Sequence, residues 1–313
     1  MAKLWCLAVG APCMLLLTSC VDFEDWADSD RYKDDFHYAY AFAPGGSLSV
    51  DNQNGSIEIT SWEQDSIEIN GTKYASSKAL LDDLKVDINH DSGHVRIRTL
   101  RPDWTHGNSG VRYAIRVPRR IQIDDVGSTN GSIRLEMTEG NARLHTTNGG
   151  IRVLEVKGEV TARTTNGRIQ ANRIEGNVAA HSTNGSIDCD STNGSLDAGT
   201  TNGSIEARVA DPSTNWPMKL ETTNGHIDLT LRGSRLPDVR ATTRNSAITL
   251  HLPESANAKV RAETSHHSSV TSDFEVLTHG GSRTRSELEG NIGSGGPLIE
   301  LETRNGSIKI LKM

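Results

Sequence analysis

Thr164-Thr165-Asn166-Gly167-Arg168-Ile169-Gln170-Ala171 decides the fold, because the chain repeats it. Eighteen residues earlier stands Thr146-Thr147-Asn148-Gly149-Gly150-Ile151-Arg152-Val153, and eighteen later Ser182-Thr183-Asn184-Gly185-Ser186-Ile187-Asp188-Cys189. An Asn-Gly with Ile or Leu two residues further on marks Asn130, Asn148, Asn166, Asn184, Asn193, Asn202, Asn224 and Asn305, with an early outlier at Asn54. Asn193 reads as a half step. Beyond Asn202 the period loosens to 21 or 22, through degenerate corners at Asn245 and His267, and the last interval is wide enough for two coils. Gly140, Gly158 and Gly176 keep the same beat at a second corner. A fixed period of this length is the mark of a stacked repeat.

Between corners the residues alternate. Val160, Ala162 and Thr164 point one way and Thr161 and Arg163 the other; Ile169/Ala171, Ile187/Cys189, Leu196/Ala198 and Ile205/Ala207/Val209 repeat the scheme. Period two excludes a helical solenoid. The inward set pairs a branched aliphatic with a small residue, which fits a narrow lumen, and a coil alone cannot bury its apolar edge. The expected fold is all-β: a parallel β-solenoid of about 18–22 residues per coil over residues 127–313, in about nine coils spanning ~43 Å. At each corner Gly is expected to supply positive φ and Asn to tolerate it. The side chains of Asn130, Asn148, Asn166, Asn184, Asn202 and Asn224 are expected to form a hydrogen-bonded ladder. Thr146, Thr164, Ser182, Thr200 and Thr222 precede the corners in register and read as a hydroxyl row.

Upstream, residues 38–126 read as an irregular β-rich cap with one short helix between Ser76 and Leu84, capped by Ser76 or Ser77. A solenoid needs such an end, since an uncovered coil is an open edge. Residues 1–19 read as an export signal: Lys3, then an apolar run from Leu4 to Leu17, too short for a comfortable membrane span. The run ends in Leu17-Thr18-Ser19-Cys20, a lipobox-like sequence that makes Cys20 the lipidated first residue of the mature chain. Residues 20–37 follow as an acidic tether; Val21–Asp35 alone carries seven acidic and two basic residues. Seven of the 14 aromatic residues crowd between Phe23 and Phe42 and are expected to dock on the body.

The order Pro44-Gly45-Gly46-Ser47-Leu48-Ser49-Val50, Asn54-Gly55-Ser56-Ile57, Tyr113–Val117 with Pro118-Arg119-Arg120, the Asn-Gly-x-Ile series, Gly290-Asn291-Ile292-Gly293-Ser294-Gly295-Gly296 and Thr303-Arg304-Asn305-Gly306-Ser307-Ile308 resembles the DUF4097 family of adhesin-like β-repeat proteins. The resemblance covers about residues 38–313. It implies an adhesive role and carries no catalytic motif, cofactor or metal.

Formal charge is −7 with a pI of 5.9, which argues against a nucleic-acid partner. Cys6 and Cys13 leave with the signal and Cys20 is expected to be acylated, so Cys189 has no partner for a disulfide; its alternation with Ile187 reads as a buried apolar side chain. The outward His145, Arg163, His181, Asp190 and Glu221 break any ice-binding face. Thr-Asn-Gly-Ser-Leu-Asp at 192–197 lacks the glycines of a calcium-binding β-roll, and the eleven His show no zinc spacing. Asp211 and Trp216 lie on a loop that reads as a solvated turn anchored by one Trp rather than a sugar-stacking ledge.

The function this supports is a non-catalytic cell-envelope protein. It is held by lipid on Cys20, in the outer membrane if Val21 after the Cys decides sorting. It presents its solenoid to a surface glycan, peptidoglycan or another envelope protein. The alternative is a carbohydrate-active β-helix enzyme, which requires carboxylates such as Asp211, Asp238 and Glu254 to converge.

Overall fold

The structure is a computed structural model that describes residues 31–313 apart from 92, 102–106, 266–267 and 279–283. Each repeat forms two strands, one in each of two facing sheets. Val160–Asn166 lies in the second sheet, the Asn166-Gly167 corner turns the chain, and Ile169–Glu175 lies in the first sheet. Gly176-Asn177 then returns the chain to the second sheet at Val178–Ser182. Strands one repeat apart pair in parallel and in register: Val160 with Val178, Ile169 with Ile187.

The first sheet has 13 strands and the second 14; setting aside the antiparallel strands at their ends, eleven parallel strands remain in each, making eleven rungs. At the usual strand spacing they span ~48 Å. Two rungs come from the N-terminal region: Ser47–Asn54 with Ile57–Trp62, and His94–Leu100 with Ser109–Pro118. Leu48 and Val50 align with Ile123 and Val126, so the regular stack begins before the Asn-Gly period becomes legible. The one helix, Lys78–Asp83, starts at Ser77, whose hydroxyl accepts from the Leu80 amide at 3.3 Å.

The period-two pattern sets the core. In the first sheet Ile57, Ile133, Ile151, Ile169, Ile187, Ile205, Ile227, Ile248 and Ile308 form one column, each 0–1% exposed. β-Branched side chains suit this pleated wall, and burying one Ile is worth about 1.5–3 kcal/mol. The adjoining inward positions are small through the middle rungs, Ala171, Cys189 and Ala207 in one sheet and Ala162, Ala180 and Ala198 in the other. Outside the middle rungs Leu135, Leu144, Leu220, Leu229, Leu250 and Leu301 stand at these positions, with Ala241 and Ala262 among them in the second sheet.

Spatial order departs from chain order at both ends, against the expectation of simply successive coils. Ser47–Asn54 and Ile57–Trp62 lie between the later pair His94–Leu100/Ser109–Pro118 and the repeat. The C-terminal pair, Leu298–Thr303 and Ile308–Lys312, inserts between Val239–Thr243/Ile248–Leu252 and the outermost rung, Ala258–Glu263/Val270–Ser272. The C-terminal strands thus gain a neighbour on both sides instead of forming an edge. Antiparallel strands cover three of the four terminal parallel strands, Tyr32–Ala41 outside Ser66–Ala75 and Lys85–His90 at one end and Glu287–Ile292 with Val276–Leu277 at the other, while Val270–Ser272 remains the edge of the first sheet. Reversed strands interrupt the template that an open parallel edge would offer.

Tyr32–Ala41 pairs along its full length with Ser66–Ala75, so the last residues of the acidic stretch are strand. Of its aromatics, Phe36 packs over Gly71 and Phe42 is 2% exposed, whereas Tyr38 stays 43% exposed. Phe23, Trp26 and Cys20 lie outside the described residues.

Candidate functional site

Both corners are built by contacts between rungs. At the Asn-Gly corner the side-chain amides run in one continuous ladder. Asn130 donates to Asn54, Asn148 to Asn130, Asn166 to Asn148, Asn184 to Asn166 and Asn202 to Asn184, all at 2.8 Å. Asn224 donates to Asn202 and Asn245 to Asn224 at 2.7 Å, and Asn305 closes on Asn245 at 2.9 Å across 60 residues of chain. Inside it, the buried hydroxyls of Thr146, Thr164, Ser182, Thr200, Thr222 and Thr243 donate to the corner glycine carbonyl one rung away at 2.9–3.0 Å. At the N-terminal end Asn52 takes this place, 2% exposed, donating to the Val111 carbonyl and accepting from Thr99.

The glycines of this corner serve clearance rather than positive φ. Among them only Gly55 has a left-handed φ, of 117°. A Cβ on Gly149, Gly167, Gly185 or Gly203 would lie 1.8–2.2 Å from the carbonyl oxygen of the preceding corner glycine. The column is broken once, by Ser246. Positive φ belongs to the opposite corner, at Gly140, Gly158, Gly176 and Gly194. Asn193 sits there too, pairing with Glu175 and Asp211, so its Asn-Gly is the second corner of a full rung and not a half step.

The outward faces carry rows of charge that pair between rungs. Arg173 meets Glu155 at 2.6 Å and His145 meets Asp125 at 3.1 Å; Arg168 contacts Asp188; His181 faces Asp197 and His251 faces Asp228 at 3.6 Å. Exposed pairs of this kind each contribute about 0–1 kcal/mol. Their effect is to hold the faces polar and ordered.

Asp211, Asp238 and Glu254 do not converge. The Asp238 carboxylate accepts from the Leu298 amide at 2.7 Å and so fixes a strand start, Glu254 lies on the exposed turn after Ile248–Leu252, and only Asp211 lines a cleft. Cys189 is 2% exposed and burial pushes its thiol up to about 12, the state of a packed side chain rather than a nucleophile. Among the described residues no group of three or more His, Cys, Asp or Glu is placed to hold a metal ion, and no helix is long and apolar enough to cross a membrane. His266, His267 and His279 lie outside those residues.

Trp216 departs from its sequence reading. It is 60% exposed, not an anchor, and stands over a cleft of about 710 Å³ that Glu159, Asn193, Asp211 and Arg235 also line. The signal for this cleft was the lengthening of the period to 22 residues between Asn202 and Asn224.

No family profile matches the chain, and no curated protein matches it. Among solved structures it is similar to a putative adhesin from Bacteroides fragilis NCTC 9343, at 11% identity over 90% of this chain and 97% of that one, with a TM-score of 0.43. A putative adhesin from Parabacteroides merdae ATCC 43184 matches at 9% identity over 89% and 96%, TM-score 0.40. Another, from Parabacteroides distasonis ATCC 8503, matches at 9% over 89% and 97%, TM-score 0.34. Likenesses this distant transfer no function.

Proposed function

We propose that the chain is a non-catalytic, DUF4097-type adhesin of the cell envelope, tethered to the outer membrane through lipid on Cys20. Its solenoid presents a rigid polar surface for adhesion or ligand binding. The observation that carries this reading is the ladder with its paired faces. A continuous amide column and a buried hydroxyl row tie each rung to the next, so outward side chains repeat at fixed spacing along the rod. Such a surface suits a repeating partner, a glycan or peptidoglycan, better than a small diffusing substrate. The alternative, a polysaccharide lyase or hydrolase, has no observation in its favour at Asp211, Asp238 and Glu254, which lie apart.

The test is expression of the full chain and of Cys20→Ser in a bacterial host, with metabolic labelling by a radioactive fatty acid and fractionation of the envelope. Label and membrane association lost only in the variant support the anchor; an unlabelled, soluble wild-type protein defeats it. Binding of the detergent-solubilised protein to a glycan array and to peptidoglycan sacculi tests the display role.

A further inference from the structure

The regular corner at Gly158, Gly176 and Gly194 leaves bare backbone on the rod's surface. A Cβ on Gly176 would lie 2.3 Å from the Gly158 carbonyl oxygen, and one on Gly194 2.2 Å from that of Gly176, so no side chain fits on this strip. The next rung breaks the pattern. The chain leaves the first sheet at Pro212 and re-enters the second at Met218. In between, the Ser213 amide donates to the Gly194 carbonyl at 2.9 Å and folds the loop back over the strip. The rung after that also carries a long corner, from Arg232 to Asp238, which brings in Arg235. A flat floor thus meets a step, and the cleft between them, about 710 Å³, has the size of a small-molecule site.

The side chains facing this cleft gather unpaired polar groups beside an exposed indole. Outward charges along the faces are paired at some positions, such as Arg173 with Glu155, and among the described residues stand alone at others, such as Arg163 and Arg208. Here the carboxylates of Glu159 and Asp211, the Arg235 guanidinium, the Asn193 amide and the Trp216 indole make no hydrogen bond or ion pair within the chain among the described residues. Trp216 is also the most exposed of the large apolar side chains described. Unused acceptors, an unused cation, an unused amide and an open indole face converge on one cavity.

We propose that this cleft binds a pyranose unit of a polysaccharide lying along the rod. The C–H face of a pyranose stacks on an indole, burying a ring that otherwise stands in water. Its hydroxyls both donate and accept, so the carboxylates of Glu159 and Asp211 accept hydrogen bonds from them, the Arg235 guanidinium donates to their oxygens, and the Asn193 amide does either. Asp211 pairs with Asn193, Asn193 with Glu175, and Glu175 with Lys157, two residues from Glu159. The backbones of Asp211 and Glu159 are therefore about three rungs or ~14 Å apart, so the two carboxylates approach the sugar from opposite ends of the cleft. The inference names a ligand class for the display surface proposed above and depends on that reading only for where the polymer is met.

The test is titration calorimetry of the full chain in detergent with oligosaccharides of glucose, N-acetylglucosamine and galacturonate, for the wild type, Trp216→Ala, Asp211→Asn and, at the far end of the rod, Tyr38→Ala. Expected is binding of at least one series, weakened about tenfold or more in Trp216→Ala and Asp211→Asn, unchanged in Tyr38→Ala, with the melting temperature preserved in all. Absence of binding to all three series, or equal binding by wild type and Trp216→Ala, overturns the proposal. Release of reducing ends by the wild type, lost in Asp211→Asn, overturns it in favour of an enzyme. Glycan-array binding that Trp216→Ala leaves intact sinks the cleft while sparing the display reading. Calorimetric binding by a protein that carries no lipid does the reverse.

Discussion

Replacing Gly149 and Gly150 by Ala, one at a time, separates the stacking of the corner from every other property of glycine. The two are neighbours in one turn and neither has a left-handed φ, so backbone preference and the stiffening of the unfolded chain nearly cancel between them. Their surroundings do not. A Cβ on Gly149 would lie 2.1 Å from the Gly131 carbonyl oxygen, while on Gly150 the nearest atom is the Arg168 carbonyl oxygen at 3.2 Å. Relieving the first contact requires the corner to move by about 1.1 Å, roughly a quarter of the rung spacing. That movement opens Thr146 Oγ1 to Gly131 O at 2.9 Å, Asn148 Nδ2 to Asn130 Oδ1 at 2.8 Å and Ile133 N to Gly150 O at 3.0 Å. Three hydrogen bonds at about 1 kcal/mol each, with about 1–3 kcal/mol of overpacking and about 0.4–1 kcal/mol recovered from the unfolded chain, give a loss of about 3–6 kcal/mol. Gly150→Ala is expected within about 0.5 kcal/mol of wild type. Urea unfolding followed by circular dichroism reads both. Coincident midpoints at equal slopes would refute the clearance argument and return the glycines to a conformational role.

Two further outcomes follow from the same geometry. Asn166→Asp keeps the acceptor for Asn184 but sets an acceptor against the Asn148 carbonyl oxygen; the expected cost at neutral pH is about 1–2 kcal/mol. Protonation restores a donor, so the folded pKa of the new carboxyl is raised and the deficit shrinks as pH falls toward ~4; an identical deficit at pH 4 and pH 7 would deny the ladder a donor role. Cys189, with its thiol held up at about 12 by burial, is expected to resist thiol reagents until the chain unfolds. The unfolded thiol ionises first as pH rises above ~8.5, so wild type loses about 2 kcal/mol relative to Cys189→Ala by pH ~10. A flat difference between the two would mean that the native thiol ionises as freely as the unfolded one.

How much could be read in advance depends on the range of the interaction. Inward and outward residues of Val160–Asn166 and Ile169–Glu175 were legible because alternation is a property of each strand alone. The corner column was legible because the same tetrapeptide returns at a fixed step. The reason for its glycines was not, since clearance concerns the rung beneath and φ concerns only the residue itself. The cleft was half legible: Trp216 and Asp211 share a loop, but Glu159, Asn193 and Arg235 reach it from other rungs and share no local pattern with it.

From sequence alone came the solenoid, its period, its inward face and its two corners, for these rest on periodicities that each repeat states for itself. Tertiary structure alone decided which rung lies on which at the ends. Rungs with the same Asn-Gly-x-Ile pattern can stack on one another equally well, so the pattern cannot rank Asn305 against its neighbours. The insertion of Leu298–Thr303 and Ile308–Lys312 beneath Ala258–Glu263 and Val270–Ser272 is set by long-range closure and by the antiparallel strand that covers Ala258–Glu263. Both are contacts between segments far apart in the chain, and no local window contains them.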